Sequence, residues 1–198
     1  MTLLDHTPDR HGATTRGLGL AALLWAGAVT AAAGSGLLAQ LWMPAIAGLV
    51  ALGIAAPTIW YFAAPQGRAW ADRVGLRAIT AFHIWRIPAA LVFFWYGAQG
   101  LLPPMFWILA GTGDLIAGIW AWAVVRRPDA MPAAYRAMHR FGFADFCVAV
   151  GTGLTFTLLG APRMAPVAAL PLALIPLFGV GISGASHLVA FDMLRRGR

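Results

Sequence analysis

Residues 17–67 read GLGLAALLWAGAVTAAAGSGLLAQLWMPAIAGLVALGIAAPTIWYFAAPQG, without one charged side chain. A helix of about 20 apolar residues crosses a hydrocarbon core about 30 Å thick, so this stretch holds two spans, 17–38 and 43–64. The same texture recurs at 78–98, 104–125, 141–160 and 166–189. Breakers separate the runs: Pro65-Gln66-Gly67, Gly100 to Pro104, Pro128, and Gly160-Ala161-Pro162. Backbone polar groups facing lipid must be satisfied within the segment, and no alternating barrel pattern is visible. The expected fold is all-α: a polytopic membrane protein of six transmembrane helices, with residues 1–198 as a single membrane domain.

Composition agrees. Hydrophobic residues make up 60% of the 198 and charged residues 11%, against about 25% charged in a soluble domain. Every cation is Arg and every anion is Asp. The net charge of +7 could suggest nucleic acid, but the arginines flank apolar runs, so the lipid bilayer is the expected partner and nucleic acid is not. Arg10 and Arg16 before an apolar stretch imitate a signal peptide. The stretch outruns a signal core and further spans follow, so a retained first helix is expected. Cys147, alone in an apolar run, reads as a small hydrophobe.

The arginines set the orientation. Arg10 and Arg16 precede the first span. Arg68, Arg73 and Arg77 separate the second from the third, and Arg126, Arg127, Arg136 and Arg140 the fourth from the fifth. Arg195, Arg196 and Arg198 end the chain, while the other three loops hold only Arg163. The positive-inside rule then places both termini in the cytoplasm, with a bacterial cytoplasmic (inner) membrane as the expected location. Trp70, Val74 and Leu76 among arginines, and Tyr135, Met138 and His139 beside Arg136, read as short amphipathic pieces on the inner leaflet.

Against this background five ionisable residues stand out: His83, Arg86, Asp114, Asp145 and His187. A charge at mid-membrane costs roughly 2.5–3.5 kcal/mol on insertion scales, so such residues are paired, used, or both. Trp107, Gly111, Asp114 and Gly118 share a helix face, which turns Asp114 towards other helices. Thr80, His83, Arg86 and Ala90 share another. Pro88 frees the carbonyl of Ile84 beside them. At about 1.5 Å per residue, depths from the cytoplasmic ends are roughly 8 Å for His83, 12 Å for Arg86, 16 Å for Asp114, 6 Å for Asp145 and 3 Å for His187. Depth therefore favours an Arg86–Asp114 pair with Asp145 beside His83 or His187, reached from the cytoplasm. The plainer alternative is that these pairs only fix helix register.

Three functions suit these parts. The first is a carrier or ligand-binding membrane protein for a small anionic or polar solute, proton-coupled through the five residues. Six helices in one chain would imply a homodimer. The second is an electron carrier with haem b held by His83 and His187. The third is a structural or assembly subunit of a membrane complex. Enzyme chemistry finds little support: HExxH, a phosphate-binding Gly-rich loop and a nucleophile motif are all missing. No cofactor is expected on the first or third reading, and no catalytic residue is assigned.

The run from Arg86 through Gly97–Gly100 and Leu102-Pro103 to Ala110-Gly111-Thr112-Gly113-Asp114 and Gly118 resembles a pattern in small uncharacterised bacterial multipass membrane proteins. There an Arg helix is followed by a Leu-Pro turn and an Ala-Gly-x-Gly-Asp helix. Phe141-Gly142-x-x-Asp145 and Ile175-Pro176 to His187-Leu188 are similar to it too, so the resemblance covers roughly residues 80–190. It implies six-helix topology and supplies no activity. In that pattern a Gln commonly stands near the position of His83. This chain departs there, which argues against His83 as an obligatory haem ligand.

Overall fold

The computed structural model describes residues 10–198; residues 1–9 of the expected membrane domain lie outside the described part. Seven α-helices follow one another: α1 (Arg10–Gly34), α2 (Met43–Ala63), α3 (Pro65–Phe82), α4 (Arg86–Ala98), α5 (Pro104–Val125), α6 (Pro132–Leu158) and α7 (Val180–Arg195). Short 3-10 turns occupy Leu38–Gln40, His83–Trp85 and Pro162–Ala168, and Ile175–Gly179 is π-helical. The described residues contain no strand. Six helical stretches are long and apolar enough to cross a membrane: Gly12–Gly34, Met43–Ala63, Pro65–Ala98, Pro104–Val125, Pro132–Leu158 and Ile175–Arg195.

Proline explains much of the punctuation. It opens α3, α5 and α6 and is second in α2, where its missing N–H removes nothing the helix needs. Pro88 near the start of α4 has the opposite effect. Without its donor the helix tightens into the 3-10 turn His83–Trp85, so His83 and Arg86 leave the rod at a distortion. Gly75 breaks α3 at φ +81°, a conformation open to glycine. The segment before it carries Trp70 and Val74 onto Tyr61, Val189 and Met193.

Three expected spans move. The third was expected from 78, yet its helical stretch begins at Pro65. The last was expected at 166–189, but Pro162, Pro166, Pro171 and Pro176 each lack a donor. The chain instead runs as a 3-10 turn and irregular turns up to Leu174, and only then as the helical stretch Ile175–Arg195. The fifth was expected from 141, yet α6 begins at Pro132. Tyr135, Met138 and His139 therefore sit buried in its first turns instead of on a surface piece.

Helix α7 lies at the centre and α1 at the edge: most of the last span is buried and almost none of the first. Leu20, Leu23 and Leu24 of α1 face outward, while Trp25 packs edge-on against Phe178 at 5.3 Å. The arginine-rich end of the bundle is tied by one network. The Tyr61 hydroxyl donates to Asp192 at 2.8 Å. Arg196 donates to Asp192 at 2.8 Å and to both oxygens of Asp72 at 2.8 and 2.9 Å. The Asp72 carboxylate, aided by Asp192 and Tyr61, holds the Arg196 guanidinium above its ordinary pKa. Such forked pairs are the stronger kind of charged hydrogen bond.

Candidate functional site

Arg86 is 3% exposed and reaches three partners on two helices. Its Nε donates to Asp114 Oδ1 at 2.6 Å, its Nη1 to the Gly142 carbonyl at 3.2 Å, and its Nη2 to Asp145 Oδ2. The Ala-Gly-Thr-Gly-Asp run of α5 explains how two carboxylates fit around one guanidinium. A Cβ on Gly113 would overlap the Asp145 carboxylate, so the missing side chain lets Asp145 of α6 pass α5 and reach Arg86. The expected Arg86–Asp114 pair is present. Asp145, expected beside a histidine, joins Arg86 instead. All three guanidinium nitrogens are engaged, so an anionic solute would have to displace a carboxylate.

On the other side of Gly142 lies a second cluster. His83, His139 and His187 are each wholly buried. The His83 and His187 rings stack with centroids 4.1 Å apart. His139 stands edge-on to both at 5.3 and 5.1 Å. Its Nδ1 meets His187 Nδ1 at 2.9 Å. Its Nε2 meets Thr80 Oγ1 at 3.0 Å, and His83 Nε2 meets Ser186 Oγ at 3.0 Å. Each ring offers a nitrogen within 4.8 Å of one from each of the others. Among the described residues, His83 Nδ1, His187 Nε2 and Trp70 Nε1 are the buried side-chain polar atoms without a partner. Leaving such an atom unmet costs about 1–3 kcal/mol. A Cβ on Gly142 would lie 2.6 Å from His187 Cε1 and 3.3 Å from Arg86 Nη1. One missing methyl thus sets the spacing between the clusters.

A cavity of about 390 Å³ descends onto the arginine cluster from the end of the bundle opposite the arginine-rich one. Its wall is apolar: Ile46, Phe93, Phe106, Phe146, Val167 and Leu172 among others. Its polar floor is Arg86, Asp114 and Ser183. Gly48 and Ala51 of α2 and Leu154 and Leu158 of α6 line it and are also exposed. The cavity therefore opens sideways between α2 and α6. Access was expected from the arginine-rich end; the irregular segment before α7 supplies Met164, Val167 and Leu172 to the wall.

A family model described as a domain of unknown function, DUF8737, matches residues 40–195. The chain belongs to this family. No curated protein and no solved structure matches the chain. The DUF8737 region takes in α2 through α7 and hence both clusters and the cavity, while α1 precedes it.

Within the DUF8737 region the five expected residues divide into two groups. Arg86, Asp114 and Asp145 form one cluster; His83 and His187 belong to the other. His139 was missed as a site residue. The signal was there: His139, Gly142, Phe143 and Phe146 follow i, i+3, i+4, i+7 spacing, one helix face, but Arg136 and Arg140 on either side disguised it. The geometry does not fit haem between His83 and His187. Axial ligands stand on opposite faces of the macrocycle, and these rings stack in contact. Arg86, the nearby cation that could meet a haem propionate, is held by its two carboxylates.

Proposed function

We propose that this is a membrane-embedded binding protein for a small amphipathic molecule that enters the cavity from the bilayer between α2 and α6. The observation that carries this reading is the cavity itself: an apolar chamber of ligand size that ends on Arg86 and Asp114. Ligand sites are mostly apolar hollows of about 300–1,000 Å³ with a few convergent polar groups. The floor favours one kind of head group. Arg86 is already bonded to two carboxylates, so with both ionised the cluster carries an excess negative charge. A cationic or hydrogen-bond-donating head suits it better than the anion expected from Arg86 alone.

Dodecylammonium, dodecanol and dodecanoate test this as probes, by the thermal stabilisation each gives the purified protein. The expected order is ammonium, then alcohol, then carboxylate. Ala51→Trp, at the exposed mouth, should abolish the effect while the protein stays folded. Equal stabilisation by all three, unchanged in Ala51→Trp, would show that the cavity is not the site.

Carriage of that molecule is the second reading, favoured by the broken chain from Pro162 to Gly179 beside the cavity. Membrane carriers commonly build their sites at interrupted helices. In this reading the arginine-rich end faces the cytoplasm. Uptake of radiolabelled alkylammonium into liposomes, lost in Ala51→Trp, separates a carrier from a static binder.

A further inference from the structure

We propose that His83, His139 and His187 bind one first-row transition-metal ion with a preference for imidazole, such as zinc or copper, at a site separate from the cavity. The argument begins with two hydroxyl groups. Thr80 Oγ1 donates its single proton to the Leu76 carbonyl at 2.8 Å. Ser186 Oγ donates its own to the Ser183 carbonyl at 2.9 Å. Each can then only accept from the imidazole it meets, so His139 and His83 both carry their proton on Nε2. Their Nδ1 atoms are bare lone pairs. His139 Nδ1 must accept from His187 Nδ1–H, which leaves His187 Nε2 bare as well. A proton added to His83 Nδ1 or His187 Nε2 would be a buried donor without an acceptor, so this arrangement favours three neutral rings. The bare nitrogens of His83 and His187 are the two that lack any partner.

A metal ion requires neutral imidazoles with free lone pairs; His83 and His187 each hold one, and His139 frees its Nδ1 when the hydrogen bond from His187 Nδ1 opens. A second hydrogen bond holding the far nitrogen is the usual support for such ligands, and Thr80 and Ser186 supply it for two of the three. Around a four-coordinate ion at about 2.0–2.1 Å, ligand nitrogens stand roughly 3.4 Å apart. The nitrogens here already lie within 4.8 Å of one another, so a shift of about an ångström brings them to that spacing, together with a rotation that unstacks His83 from His187. Donors that are all imidazole suit zinc, copper or nickel over magnesium or calcium. If His187 binds through Nδ1, its proton shifts to Nε2, so no net proton is released. The neighbouring Arg86–Asp114–Asp145 cluster, negative when both carboxylates are ionised, offsets part of the added positive charge.

The test uses the full chain, purified without a polyhistidine tag, with His6 and His11 changed to Gln to remove the sequence's other two histidines. Chelator-treated protein is titrated with Co2+ in detergent, followed by its visible d–d bands, and then with Zn2+. The expected result is saturation at one equivalent, with bands of low coordination number that Zn2+ displaces. Pulsed EPR of the Cu2+-loaded protein should count three imidazoles. Thr80→Val should weaken binding roughly 10–100-fold, and His83→Gln or His139→Gln should abolish it. Ala51→Trp should leave metal binding unchanged even if it blocks the alkylammonium probe, so the two sites stand or fall separately. Absence of one-equivalent binding, or fewer than three imidazoles on copper, would overturn the proposal without recourse to the core variants.

Discussion

The two buried clusters differ in how completely they are satisfied, although they sit on either side of Gly142. Around Arg86, every guanidinium nitrogen has a partner and two helices are tied to a third. Around the histidines, two ring nitrogens have none. The first cluster is built so that the bundle depends on it. The second is held by its surroundings and keeps coordinating capacity in reserve. Charge accounts for the contrast. A buried ion stripped of its partner is severely penalised, whereas a neutral imidazole tolerates an empty lone pair at a smaller cost.

Removing Arg86 breaks the comparison hardest. Arg86→Met leaves two buried carboxylates without a counterion and should destabilise the protein by about 3–5 kcal/mol, read by denaturation in detergent. A double-mutant cycle with Asp114→Asn should show strong coupling; simple additivity would mean the two side chains do not act as a pair. Gly142→Ala probes the wall between the clusters. Its methyl would press on His187 and Arg86 together, and overpacking of this kind costs about 1–3 kcal/mol. An unperturbed melting curve would show that the clusters are not held apart by that contact.

His187→Gln in metal-free protein should cost about 1–3 kcal/mol, since the buried His139 Nδ1 loses its donor. A loss as large as that of Arg86→Met would erase the distinction between the clusters. Ala51→Trp, exposed at the cavity mouth, should change stability by no more than about 0.5 kcal/mol while removing the binding of alkylammonium. If stability falls sharply instead, the mouth is not open.

Arg86, Asp114 and Asp145 were legible because an isolated charge in an apolar run has few explanations. Rise per residue ranked their depths well enough to pair Arg86 with Asp114. Depth says nothing about direction around the bundle axis, and that is why Asp145 was assigned to a histidine. His139 stayed hidden since its neighbours in sequence are arginines, while its neighbours in space are two histidines from other helices. Hydropathy also could not rank the helices. The first and last spans are about equally apolar, yet one is peripheral and the other central. The cavity was illegible for a related reason: the segment from Pro162 to Leu174 is as apolar as a helix, and only its prolines betray that it is not one.

The π-helical turn at Ile175–Gly179 acts as a phase setter. Each α-helical residue advances about 100° around the axis, so a chain shortened by one residue there would rotate everything before the turn relative to everything after it. Val167 and Leu172, which wall the cavity, would swing a quarter-turn or more away from the azimuth of Ser183 and His187. Chamber and histidines are geared through the five residues of that turn.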